Sequence, residues 1–184
     1  MSIPSKIRLS ADDYYALPAY AQTDFIQLID GEVLNPMPPI PKHQAIVGEI
    51  LFLLMTIARK LGGKAFTSPI EVYLDEYNVY EPDVLYLSPE SNCIIEEKRL
   101  RGAPELVVEV LSPSTAKYDR QEKYLSYEKH GVQEYWIVDP AHETFEVWVL
   151  KNEAFERQGV YAKEDNFQSS VLGQGISLNT IFTE

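Results

Sequence analysis

Cysteine is nearly absent from this chain of 184 residues: only Cys93 is present. One thiol excludes an intramolecular disulfide and any zinc site built on paired cysteines, and it suits a reducing cytoplasm. Histidine is almost as scarce, with three residues scattered at 43, 130 and 142 and no HExxH run, so a zinc hydrolase has no ligand set. Gly173-Gln174-Gly175 lacks the strand-to-helix setting of a phosphate-cradling loop, and no Gly-x-Ser-x-Gly elbow is present. Long hydrophobic runs are missing too. The longest, Ile46 to Ala58, contains Glu49 and is too short to span a bilayer. The leading MSIPSKIRLS has no apolar core of signal-peptide length, so a cytoplasmic protein without a membrane partner is expected.

Positive charge is also in short supply. Sixteen Lys and Arg stand against 28 Asp and Glu, a net charge of −12, and the pI is near 4.7. That argues against a protein that coats nucleic acid through non-specific phosphate contacts. An enzyme with a locally basic rim is still compatible with it, because the field at a cleft can differ from the net charge.

What remains is ordinary for a globular α/β protein, and the length leads to the expectation of one domain over residues 1–184. Residues 1–9 read as a loose or edge segment. Ser10 followed by Asp13 signals a short capped helix, stopped by Pro18. Asp30-Gly31 between apolar runs predicts a hairpin with Glu32 just past its turn. Pro36, Pro38, Pro39 and Pro41 demand an extended loop. Apolar residues at helical spacing from Lys42 to about Leu61, closed by Gly62-Gly63, predict a long helix. Short strands are expected over 64–67, 70–74 and 83–87, then a polar loop or short helix over 88–102. Thr144 to Leu150 and Phe155 to Tyr161 form a hairpin, and the tail gives short strands and a helical turn.

The segment Pro104–Pro140 carries the chemistry. Leu106 to Leu111 is an apolar strand interrupted by one acid, Glu109, and a buried carboxylate must be paired, protonated or metal-bound. After the Ser112-Pro113-Ser114-Thr115 break, Asp119 and Glu122 read as a helix start, with Lys123 one turn on from Asp119. Glu134 to Val138 is a second buried strand. Upstream, Glu81-Pro82-Asp83 leads into Val84–Leu87, with proline opening the strand. Asp83 and Glu109 on neighbouring strands could share a hard divalent cation such as Mg²⁺ or Mn²⁺. A nearby lysine would stabilise charge developing on a phosphodiester.

Pro-Asp followed by acid-x-lysine is the signature of the PD-(D/E)XK nucleases. Here the lysine position holds Leu111, and Lys123 on the following helix is the candidate replacement. The runs Pro104–Thr115 and Gly131–Pro140, with Asp119, Lys123, Tyr127, Leu28–Glu32, His43 and Pro82-Asp83, resemble the Uma-two family of endonucleases. That resemblance implies a restriction-endonuclease-like fold: a mixed central β-sheet flanked by helices, with additional β-hairpins. Residues and resemblance together lead to the expectation of a metal-dependent endonuclease acting on DNA, with Asp83 and Glu109 on Mg²⁺ (or Mn²⁺), Lys123 serving the water or transition state, and Glu32, as the resemblance suggests, completing the shell. A homodimer could bring two clefts to one groove. The alternative is a catalytically inactive nuclease fold acting through protein contacts, which the acidic surface and Leu111 favour. A glycosidase carboxylate pair is weaker, because Lys123 contributes nothing to it.

Overall fold

The computed structural model describes residues 8–18, 20 and 26–182; most of the expected loose leading segment lies outside them. In chain order the elements are α1 (Ala11–Tyr15), β1 (Gln27–Ile29), β2 (Glu32–Leu34), α2 (Pro41–Leu61), β3 (Lys64–Thr67) and β4 (Val72–Asp75). There follow β5 (Asn78–Tyr80), β6 (Val84–Leu87), β7 (Ile94–Ile95), β8 (Leu100–Arg101), β9 (Leu106–Val110), α3 (Ala116–Arg120) and α4 (Glu122–His130). The remainder is β10 (Glu134–Asp139), β11 (Thr144–Lys151), β12 (Ala154–Ala162), β13 (Asn166–Ser169) and β14 (Gln174–Ser177).

The expected mixed central sheet is present, in the order β12-β11-β10-β9-β6-β3. Its centre is the parallel pair β9–β10, joined through α3 and α4; the outer pairs are antiparallel. Burial on both faces explains why β9 and β10 read as nearly continuous apolar runs. Leu106, Val108, Trp136 and Val138 face α2, where Ile46, Ile50, Leu54 and Ile57 meet them. The tail closes that core with Phe167, Ile176, Leu178 and Phe182. Residues of opposite parity, Val107, Tyr135 and Ile137, face Tyr127 of α4. Glu109 shares their side of the strand.

A second six-stranded sheet, β2-β1-β5-β4-β8-β7, is what the sequence reading did not separate from the first. Val72 and Leu100 of that sheet pack on Leu85 and Leu87 of β6. The polar 88–102 segment supplies β7 and β8 to it, where a loop or short helix was expected. Of the local signals, the Ser10–Asp13 capping box forms, and Asp30-Gly31 turns the β1–β2 hairpin with both φ angles positive. Pro41 opens α2, and Gly62 ends it in the left-handed conformation at φ 79°. The helix start expected at Asp119 is displaced. α3 begins after Thr115, and the helical run breaks at Gln121, with φ −124° and ψ −80°. Asp119 is turned inward and buried there instead of capping. Among the described residues no helix is long and apolar enough to cross a membrane.

One buried acid lies away from these features. Glu134, at the start of β10, has no exposure. It accepts hydrogen bonds from Trp136 Nε1, Ser169 Oγ, the Ser170 N–H and Oγ, and the Val171 N–H. This carboxylate is satisfied by Trp136 of its own strand and by donors of the tail rather than by a counter-charge, and it clamps the tail to the central sheet. Glu134→Ala strands those donors, so it should destabilise the fold by about 3 kcal/mol. Urea denaturation would measure this; an unchanged midpoint would mean the tail is held by its apolar contacts alone.

Candidate active site

Strand registry brings the acids together. The β6–β9 ladder runs from Tyr86–Leu106 to Val84–Val108. Beyond it the Val110 N–H donates to Asp83 Oδ2 at 2.7 Å, so the Asp83 carboxylate caps the open end of the ladder. Pro82 carries no N–H to compete for that position. Glu109 points to the other face of β9, towards α4. Its Oε1 accepts from Lys123 Nζ at 2.9 Å and from the Tyr127 hydroxyl at 2.7 Å. Lys123 Nζ is also 3.0 Å from Asp119 Oδ1, an ion pair without hydrogen-bond alignment. Glu109 is 3% exposed, and Asp119 and Lys123 are 1% exposed. The Tyr135 hydroxyl donates to the Asp119 carbonyl at 2.9 Å and holds the end of α3 to β10.

Burial dominates the electrostatics. It pushes the Glu109 carboxyl up to about 8, with Lys123 opposing and the Asp119 and Asp83 charges adding to the rise. Burial also raises the Asp119 carboxyl against the pull of Lys123. For Lys123 burial works downward, but Asp119 and Glu109 together lift its ammonium above the usual lysine range. It stays charged, and burial raises the Tyr127 hydroxyl as well, keeping it a donor.

His43, in the first turn of α2, completes the arrangement. Its Nε2 lies 2.9 Å from the Val110 carbonyl and 3.5 Å from Asp83 Oδ2, while the buried Nδ1 has no partner among the described residues. Burial lowers the His43 pKa, but Asp83 and the Val110 carbonyl outweigh it and leave it above the ordinary imidazole value.

These groups open onto a cavity of about 240 Å³ whose walls include His43, Glu81, Asp83, Glu109, Thr115 and Lys123. Of the residues expected from sequence, Asp83, Glu109 and Lys123 therefore converge. Glu32 is half-buried on β2 and does not line the cavity. Leu111 packs in the aromatic cluster around Tyr127. Arg99 and Arg101 are engaged by Glu96 and lie over the rings of Tyr15 and Tyr73, away from the cavity. Sequence reasoning passed over Glu81, although it directly precedes Pro82-Asp83. It also passed over Gln27, whose Oε1 accepts the Glu81 N–H at 3.2 Å.

The donor set suits a hard divalent cation. Both hydrogen bonds to Glu109 fall on Oε1 and the one to Asp83 falls on Oδ2, so among the described residues each carboxylate keeps an oxygen without a hydrogen bond. Oxygen ligands with room for waters are what Mg²⁺ and Mn²⁺ take. No set of three His, Cys, Asp or Glu side chains is gathered tightly enough for a cation among the described residues. Two carboxylates and solvent would have to suffice.

Residues 11–180 match the Uma2 (Uma-two) family, described as "Putative restriction endonuclease". The chain belongs to the Uma2 family. The crystal structure of a "putative nuclease belonging to DUF820" from Anabaena variabilis ATCC 29413 superposes on this Uma2 chain with a TM-score of 0.77. The two are 20% identical, and the match covers 95% of this chain and 97% of the other. At that identity the likeness carries the fold, and with the family match it establishes the restriction-endonuclease-like architecture. No curated protein matches the chain.

Removing the ammonium should expose the cost of the two buried acids. Lys123→Met is expected to lose about 3–5 kcal/mol near neutral pH. With their folded pKa values raised, Glu109 and Asp119 add stability below their unfolded carboxyl range and lose it as pH rises through the folded values. The deficit should therefore shrink towards about pH 5. Denaturant midpoints across that range test this; a deficit independent of pH would assign the loss to packing instead of charge.

Proposed function

We propose that this Uma2 chain is a metal-dependent endonuclease that hydrolyses DNA phosphodiester bonds. The observation that carries the reading is the meeting of Asp83, Glu109 and the buried Lys123 ammonium at one cavity. The family's description supports DNA as the substrate. Asp83 and Glu109 would hold Mg²⁺ or Mn²⁺ through the oxygens that accept no hydrogen bond. That ion would polarise the phosphodiester and make a bound water more acidic.

The chain's own residues divide the remaining work. The Val110 N–H fixes Asp83, and Tyr127 and Lys123 fix Glu109, so both acids are pre-organised before substrate arrives. Lys123 keeps its proton, so it acts by charge: it holds Glu109 in its rotamer and favours negative charge developing on the phosphate. It occupies, from α4, the role a PD-(D/E)XK nuclease gives to the lysine two positions after the acid. Glu81 lines the cavity where Glu32 does not, and it is the third carboxylate we assign to the supporting shell. Glu32 on β2 would act at most from outside it.

A second reading keeps the fold without the chemistry. It draws on Leu111 at the usual lysine position and on a Glu109–Lys123–Asp119 network whose charges are already paired within the protein. The two readings part on metal-dependent cleavage. Glu109→Gln and Asp83→Asn, both close in shape to the parent side chains, should each reduce Mg²⁺- or Mn²⁺-dependent cleavage of DNA, supplied both as plasmid and as single-stranded circles, by about 100-fold or more. Circular dichroism should stay unchanged, and calorimetry should show Mn²⁺ bound by the parent and lost in Glu109→Gln. Undiminished cleavage in both variants would sink the assignment, and a parent that neither binds Mn²⁺ nor cleaves would favour the inactive fold.

A further inference from the structure

The candidate site is deep, and beside it lies an apolar slot that the chemistry does not use. This second cavity, of about 530 Å³, is walled by Ile40, Leu111, Pro113 and Pro140, and it shares Met37, Pro39, His43 and Ser112 with the first. Its size is within the range of about 300–1,000 Å³ typical of small-ligand sites. The proline loop that lines the slot also lines the carboxylate cavity, through Pro36, Met37 and Pro39. Met37 and Ile40 present 75% and 63% of their surface to solvent, far more than apolar side chains beside a polar cleft need.

We propose that the substrate strand is unpaired where it meets the site, and that a nucleobase beside the scissile phosphate seats in this slot. The inference rests on the nuclease reading above and adds the form of the substrate. Glu109 is almost fully covered, and the cavity it shares with Asp83 is walled in part by Pro36, Met37 and Pro39, so a phosphate that reaches it has to enter a recess with its sugar–phosphate chain free on either side. The backbone of an intact duplex is held against its partner strand and cannot fold into such an opening. A single strand, a frayed end or an extruded nucleotide can. Once the phosphate is seated, the adjoining base is carried next to the shared wall, where apolar surface takes its face.

The polar groups of the slot agree with that occupant. Lys42, exposed at the start of α2, lines it and can neutralise a flanking phosphate. The one acid in its wall, Asp139, has its carboxylate committed to the Ala141 and His142 N–H groups and to the His142 ring.

The test is binding of fluorescent oligonucleotides of about twelve nucleotides to the full chain, with Ca²⁺ present. Three probes are compared: oligothymidylate, an abasic deoxyribose phosphate strand of the same charge, and the duplex of oligothymidylate with oligoadenylate, which carries twice that charge. Oligothymidylate should bind at least about tenfold more tightly than the other two. Ile40→Glu alters an exposed side chain that makes no capping bond to α2. It should weaken oligothymidylate binding about tenfold while leaving thermal melting unchanged. Equal affinity for the abasic strand or the duplex would overturn the inference, as would indifference to Ile40→Glu. Failure of every probe to bind would overturn it too, and Mn²⁺ calorimetry with cleavage of plasmid and single-stranded circular DNA would then decide separately whether the nuclease reading falls with it.

Discussion

A lysine ammonium buried between two carboxylates is the constraint around which this structure is arranged. Lys123 is surrounded by protein, and the charges of Glu109 and Asp119, with the Tyr80 ring centre 6.0 Å from the ammonium, make that tolerable. In a low-dielectric interior such a set repays its desolvation only when geometry and hydrogen bonding are both good. Tyr127 supplies an additional hydrogen bond to Glu109, Tyr135 holds the Asp119 backbone carbonyl, and Tyr80 packs edge-on to Tyr127. The result fixes α4 against β9 at one distance and one rotation. Apolar packing alone would allow it to slide.

That rigidity reaches the cavity through the strands. Because β6 and β9 are antiparallel with Val84 opposite Val108, Asp83 falls at the ladder's end just where Val110 still has a donor to offer. Glu109, one residue earlier on β9, faces the opposite way from Val110 and reaches α4. The strand edge thus presents a backbone amide to one acid while a side chain from the neighbouring residue supplies the other. His43 approaches from α2 and joins the third element to the same spot. Three separate packing surfaces therefore determine the position of two carboxylates.

How much of this was legible in the sequence depended on whether a residue contradicted its surroundings. Glu109 stood out because an acid broke an apolar strand, and Asp83 because proline preceded it. Lys123 was legible in its spacing from Asp119, yet its burial was not: the i,i+4 rule reads the same for a solvated pair and an interior one. Asp119 looked like a cap for that reason, since the residue types that cap helices also serve as buried partners. Glu134 gave no signal, because apart from Trp136 its donors are backbone and serine groups some 35 residues away. The second sheet was hidden by strand length. β5, β7 and β8 have two or three residues each, too few to show a period, and tertiary pairing alone makes them strands. The long helix α2, with a wide apolar stripe between proline and glycine, was readable nearly to the residue.

The clamp between Glu134 and the tail also bears on how the protein is made. The face of the central sheet that meets α2 is closed by Phe167, Leu172, Ile176, Leu178, Ile181 and Phe182. During synthesis α2, β9 and β10 emerge long before those side chains exist outside the ribosome. Trp136 and Phe145 must wait uncovered for their ring partners, and Glu134 for its serines. Vectorial synthesis therefore builds the catalytic-looking side of the sheet first and seals the opposite side last, and for that interval the nascent chain carries an open apolar face for chaperones to shield.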